Sequence, residues 1–132
     1  MDMDMDAALA CWHAVASSRD HDAIYALLAD DVIFESPVVH TPQRGRAISA
    51  KYLTGASIVL GGAGFAYIGE WRGANSAVLE FTSFVDGVTI NGIDMITWND
   101  AGQIVHFKVM VRPLKAINKL HEKMGAALPH LA

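Results

Sequence analysis

Apolar positions change their period twice along this chain. From Asp6 to Ser17 (DAALACWHAVAS) they recur at helical spacing, with Leu9, Trp12 and Ala16 on one face and Asp6 placed to cap the first turn. The polar run SSRD ends that helix, and a second, shorter one is predicted from Asp22 to Leu28, with Ile24, Leu27 and Leu28 apolar. In ADDVIFESP the period drops to two: Val32 and Phe34 alternate with Ile33 and Glu35, and Pro37 ends the strand. VVHTPQRG reads as loop. A third helix is predicted from Arg46 to about Val59, with Ile48, Tyr52 and Leu53 facing the core.

Beyond Gly61 the helical period does not return for fifty residues. GGAG is a turn, without the flanking strand, spacing and lysine of a phosphate loop. Four strands follow, Phe65–Trp71, Ala77–Val85, Thr89–Trp98 and Gln103–Arg112, separated by the turn sequences RGAN, DG and NDAG. A last helix, Leu114 to Met124, carries Leu114, Ile117, Leu120 and Met124 on one face, with Pro113 at its first turn. Consecutive strands joined by tight turns make an antiparallel sheet, and amphipathic helices must cover one side of it. The expected fold is a single α+β domain over residues 1–132: a curved, antiparallel or mixed sheet shaped as a cone, with three N-terminal helices and one C-terminal helix enclosing a pocket.

Composition narrows the partners. Hydrophobic residues make up 52% of the chain and charged ones 18%. So lean a charged surface points to apolar area covered by a partner or turned in on a cavity. The net charge of −4 comes without any cluster of basic residues, which argues against nucleic acid. A single cysteine, Cys11, excludes an internal disulfide; beside Trp12 it is expected to be a small buried hydrophobe. The acidic opening MDMDMD does not resemble a secretory leader, and no apolar run nears the ~18 residues that cross a bilayer. A cytoplasmic location away from membranes is expected. No His-x-x-x-His, Cys–His or paired-carboxylate spacing supports a metal, and no cofactor is expected.

One residue stands out chemically. In NGIDMITW, Asp94 shares a strand face with Ile96 and Trp98, while Ile93, Met95 and Thr97 share the other. In the last strand Phe107, Val109 and Val111 oppose His106, Lys108, Met110 and Arg112. The uniformly apolar set must face inward. Alternation alone leaves Asp94 equally able to sit at an exposed edge or to be the polar group of an apolar pocket. In a pocket, an isolated charged carboxylate would cost several kcal/mol, so it must be paired, hydrogen-bonded or protonated.

The segments ADDVIFESP, GRAISAKYL and IDMITWNDAGQIVHFKVMV resemble the nuclear transport factor 2-like superfamily, which includes the SnoaL-like polyketide cyclases and ketosteroid isomerases. The likeness spans nearly the whole chain and implies the cystatin-like, ketosteroid isomerase-like roll. It implies much less about chemistry, because one cone serves many tasks. By that resemblance the isomerases' proton-shuttling aspartate is replaced here by Ser36, and their oxyanion tyrosine by Trp12. Two supporting tyrosines correspond to Leu28 and Leu53. The second oxyanion donor, an aspartic acid kept protonated by apolar surroundings in that family, is matched by Asp94. Standard ketosteroid isomerase activity is therefore not expected, and Asp94 moves to the pocket face.

Around Asp94 the expected ligand-binding residues are Trp12, Phe34, Ser36, Tyr52, Phe81, Trp98, Phe107, Val109 and Val111. His40, in the loop at the expected cone mouth, is a candidate acid, base or ligand donor beside Asp94. His13, His21, His121 and His130 are expected at the surface, and Tyr25 in the core. The outward set of Met95, Thr97, His106, Lys108, Met110 and Arg112 mixes methionine with polar groups, as a homodimer contact made sheet on sheet would. Two functions follow: an isomerase-, cyclase- or dehydratase-type enzyme on a small hydrophobic or cyclic molecule, with Asp94 as buried acid, base or donor, or a binding or sensing domain without chemistry.

Overall fold

Asp4, not Asp6, caps the first helix in the computed structural model, which describes residues 3–62 and 64–130. The Asp4 carboxylate accepts from the N–H groups of Asp6 and Ala7, leaving Asp6 in the first turn where its charge suits the helix dipole. Helix α1 runs Met5–Ser18 and ends at Arg19 in the left-handed conformation. Asp20 caps α2, His21–Leu27. Strand β1 follows directly over Leu28–Glu35, so it begins earlier than its alternation suggests. A two-residue strand, β2 at Gln43–Arg44, lies inside the expected loop. Helix α3 spans Arg46–Leu60. Strands β3 (Ala66–Arg72), β4 (Ser76–Val85), β5 (Val88–Trp98) and β6 (Ile104–Arg112) lead to α4, Leu114–Ala127.

The fold is α+β: four helices with one curved, unclosed six-stranded sheet in the order β2-β1-β6-β5-β4-β3. Strands β3 to β6 form an antiparallel meander, while β1 pairs parallel to β6 and makes the sheet mixed. The β4–β5 turn is Asp86-Gly87, with φ of 48° and 79°. Positive φ at both central residues is what a tight hairpin with native twist requires.

Inward residues of the sheet meet the helices in one core, in which Ile24, Leu28, Val32, Phe34, Ile90, Ile96, Ile104 and Phe107 are buried. Trp12 carries α1 to β6, its ring 4.9 Å from that of Phe107. Gly92 makes room for the Phe81 ring beside β5: a Cβ there would fall 2.5 Å from Phe81 Cζ and 2.7 Å from the Met110 carbonyl oxygen. Three expectations of burial fail, the first at Ile48, which is exposed on α3. Cys11 is exposed on the outer side of α1. Tyr25 is exposed as well, and the Arg46 guanidinium stacks on its ring at 4.2 Å.

Candidate functional site

The concave face of the sheet and helices α1, α3 and α4 do not close completely. Between them lies a cavity of about 600 Å³. Its walls are largely apolar, built from Phe34, Leu53, Phe65, Phe81, Phe107, Val109 and Leu120. That size and lining suit a small organic molecule oriented by few polar groups.

Among the described residues one carboxyl group lines it, Asp94, held at the middle of β5 and 7% exposed. The regular β4–β5 ladder, which sets Leu79 opposite Asp94, points its side chain inward with Ile96 and Trp98. Tyr67 on β3 donates its hydroxyl proton to Asp94 Oδ2 at 2.6 Å. Trp12 on α1 in turn donates its indole N–H to the Tyr67 hydroxyl at 3.1 Å. Three elements thus hold one polar chain in place. Oδ1 of Asp94 takes no hydrogen bond from a described residue. Since no fully occluded side-chain polar atom is left without a partner, that oxygen is open to the cavity.

Burial pushes the Asp94 carboxyl up to about 7, against the opposing pull of the Tyr67 hydrogen bond. Burial, the Asp94 charge and the hydrogen bond to it hold the Tyr67 phenol far above its ordinary value, with the Trp12 bond opposing, so the phenol remains a donor. Because Tyr67 occupies Oδ2, a proton on the carboxyl belongs to Oδ1. The group therefore presents either an acidic O–H or a carboxylate lone pair to the cavity, and both forms are populated near neutrality.

Of the residues expected around Asp94, Trp12, Phe34, Ser36, Tyr52, Phe81, Phe107 and Val109 line the cavity. Trp98 does not: two residue pairs further along β5, it is packed into the core beyond the cavity. Val111 and His40 line instead a separate depression of about 310 Å³ together with Glu35 and Lys108. His40 is exposed there and does not meet Asp94, because the Ser36–Val39 segment turns it away from the cavity. The Ser36 hydroxyl accepts the Val38 N–H at 3.0 Å, which uses it to shape that segment.

Two histidines expected at the surface, half-buried His13 and exposed His121, also border the cavity. His13 lies with its ring edge-on to Tyr67 at 5.1 Å, and His121 projects from α4 into the lining. On the outer face His106 Nε2 lies 2.6 Å from Glu35 Oε2, and this bond to His106 holds the Glu35 carboxyl below its usual range. Among the described residues no group of three metal-ligating side chains comes together, and no helix is long and apolar enough to cross a membrane.

Tyr67 is the residue that sequence reasoning missed. A signal existed: in FAYIGEW, alternation groups Phe65 and Tyr67 on one face. Nothing local shows that this edge strand faces Asp94, which is paired two strands away.

No protein-family model matches the chain, and no curated protein is similar to it in sequence. Solved structures are similar. A steroid delta-isomerase from Pseudomonas aeruginosa is 37% identical with a TM-score of 0.88, over 95% of this chain and 91% of that one. An uncharacterized protein with a cystatin-like fold from Silicibacter pomeroyi is 32% identical with a TM-score of 0.85, over 92% of this chain and 85% of its own. An epoxide hydrolase/cyclase-like enzyme of pyran ring formation shares the fold at 16% identity and a TM-score of 0.67, over 83% of this chain and 93% of its own.

Proposed function

This chain belongs to the nuclear transport factor 2-like superfamily, and on that premise we propose that its cavity binds a small, largely apolar, carbonyl-bearing cyclic molecule on which Asp94 transfers a proton. Isomerisation, cyclisation and dehydration share that step. Ionised, Oδ1 takes a proton from the carbon next to the carbonyl, and the C–H electrons pass to the carbonyl oxygen as an enolate. The same carboxyl then returns the proton at another carbon. Protonated, Oδ1 donates to a carbonyl or leaving hydroxyl oxygen.

The observation that carries this reading is a buried carboxyl, poised near pH 7, whose one free oxygen opens into an apolar cavity. Tyr67 supports it from a second side. The superfamily resemblance calls for a phenol where Trp12 stands, and Trp12 instead binds a phenol delivered from β3. The structural relatives include one named a steroid delta-isomerase and, sharing the fold alone, one named an epoxide hydrolase/cyclase-like enzyme of pyran ring formation.

The test is proton exchange in D₂O. A β,γ-unsaturated cyclic ketone incubated with the protein gains deuterium next to its carbonyl, followed by NMR, and develops conjugated-enone absorbance if it isomerises. Asp94→Asn lowers the exchange rate by about 10²- to 10⁴-fold. Exchange that is unchanged in the variant overturns the assignment.

The second reading, ligand binding without chemistry, has its own observation. Ser36 stands where the isomerases place a base and is occupied by a backbone N–H, so one carboxyl must do all the work. A bound ketone that gains no deuterium supports this reading. For the outer sheet face, where Met110 is 42% exposed among half-buried Met95, Thr97 and Lys108, we propose pairing with a second copy. Sedimentation equilibrium that finds only monomer, or no change on Met110→Lys, argues against it.

A further inference from the structure

The cavity lining is poorer in acidic groups than the chain as a whole, although Glu70 lies just outside it, 4.0 Å from His13 Nε2. Acidic residues outnumber basic ones 14 to 10 overall. Among the described residues that line the cavity the only carboxyl is the deep Asp94, whereas Arg19, His13 and His121 all contribute. These three come from the C-terminal half of α1 with its cap, and from α4.

Arg19 is the permanent charge among them. It sits at the end of α1 with φ of 53°, which turns its side chain across the mouth toward Gly61. A Cβ built on Gly61 would lie 3.5 Å from Arg19 Cδ, so the stem of the side chain rests against that glycine. Arg46, Arg72 and Arg112 each donate to a protein acceptor. No side-chain hydrogen bond or ion pair joins Arg19 to another described residue. Its planar fork, free of protein acceptors, matches a carboxylate with two parallel N–H···O bonds.

We propose that the ligand ends in a carboxylate, which Arg19 holds at the mouth while the apolar body fills the cavity and the reacting carbonyl reaches Asp94. This names the substrate class of the site proposed above and rests on that reading. His13 borders Tyr67, the donor to Asp94, and Arg19 lies at the C-cap of the same helix, so the exposed cation and the buried carboxyl line one cavity from opposite depths. Only one cation is fixed, so the anion selects and orients the ligand while the apolar walls supply most of the affinity.

Pyrene-1-butyrate and its neutral methyl ester test this by fluorescence titration at low ionic strength. For the native chain the acid binds more tightly than the ester, and added salt weakens only the acid. Arg19→Gln reduces the affinity for the acid about fivefold and leaves the ester unchanged; Arg19→Lys recovers part of the loss. Arg19 is exposed, so neither substitution threatens folding. Equal loss for acid and ester, or no loss for either, overturns the carboxylate proposal while leaving the cavity reading intact. Failure of both compounds to bind overturns the two readings together.

Discussion

Burial raises the proton affinity of Asp94 in the folded chain above its value in the unfolded one, and folding stability must follow. Below about pH 4 the group is protonated in both states and costs nothing. As pH rises toward 7 the unfolded chain releases this proton first, so stability falls across that window. A shift from 3.8 to about 7 corresponds to roughly 4 kcal/mol at full extent. Asp94→Asn removes the titration. Urea unfolding of native and variant chains from pH 4 to pH 8 is expected to show the variant gaining on the native protein as pH rises; a constant difference contradicts the assignment. Tyr67→Phe takes away the bond that favours the carboxylate, so the Asp94 midpoint moves above 7 in a carbon-13 NMR titration of its carboxyl. The same variant leaves the Trp12 N–H without its acceptor, at a cost of about 1–3 kcal/mol. Asp94 was legible as the one carboxyl in an apolar strand. Its partner Tyr67 was not, because hydrogen bonds across two strands leave no mark in either strand's own pattern.

The elements themselves were readable wherever many residues repeat one period. Helix α3 starts at the predicted Arg46, and the four long strands lie within one or two residues of their predicted ends. Strand β2 escaped because two residues carry no period. The parallel β1–β6 pairing escaped because it joins segments some seventy residues apart, with no turn sequence to announce it. Gly92 shows what a single position contributes to an element. The β4–β5 register runs unbroken through it, and its missing Cβ admits the Phe81 ring. Gly92→Ala should therefore destabilise the fold by about 1–3 kcal/mol through overpacking, read as a lower urea midpoint. Because Phe81 also lines the cavity, the same variant should weaken binding of apolar probes.

For the whole molecule, the question is whether the space between sheet and helices is a true hollow or an underpacked core. Ala56, half-buried on α3, faces that space. A larger side chain in a filled core would cost roughly 1–3 kcal/mol, whereas in a hollow it finds room. Ala56→Phe is expected to change stability by less than about 1 kcal/mol and to abolish binding of pyrene-1-butyrate methyl ester. Strong destabilisation by that substitution would mean the space is packed.

The order of the long elements, the α+β class and the inward apolar faces of the long strands were determined by the sequence alone, since each rests on contacts among near neighbours or on a repeated spacing. Only the tertiary structure decided which inward residues share one cavity. It set Trp98 and Val111 apart from Asp94, turned His40 onto another surface and brought His13 and His121 to the mouth. The physical reason is that periodicity fixes the direction of a side chain but not its height along the element. Membership of a site depends on that height, and it is set by sheet register, curvature and the seating of helices from distant parts of the chain.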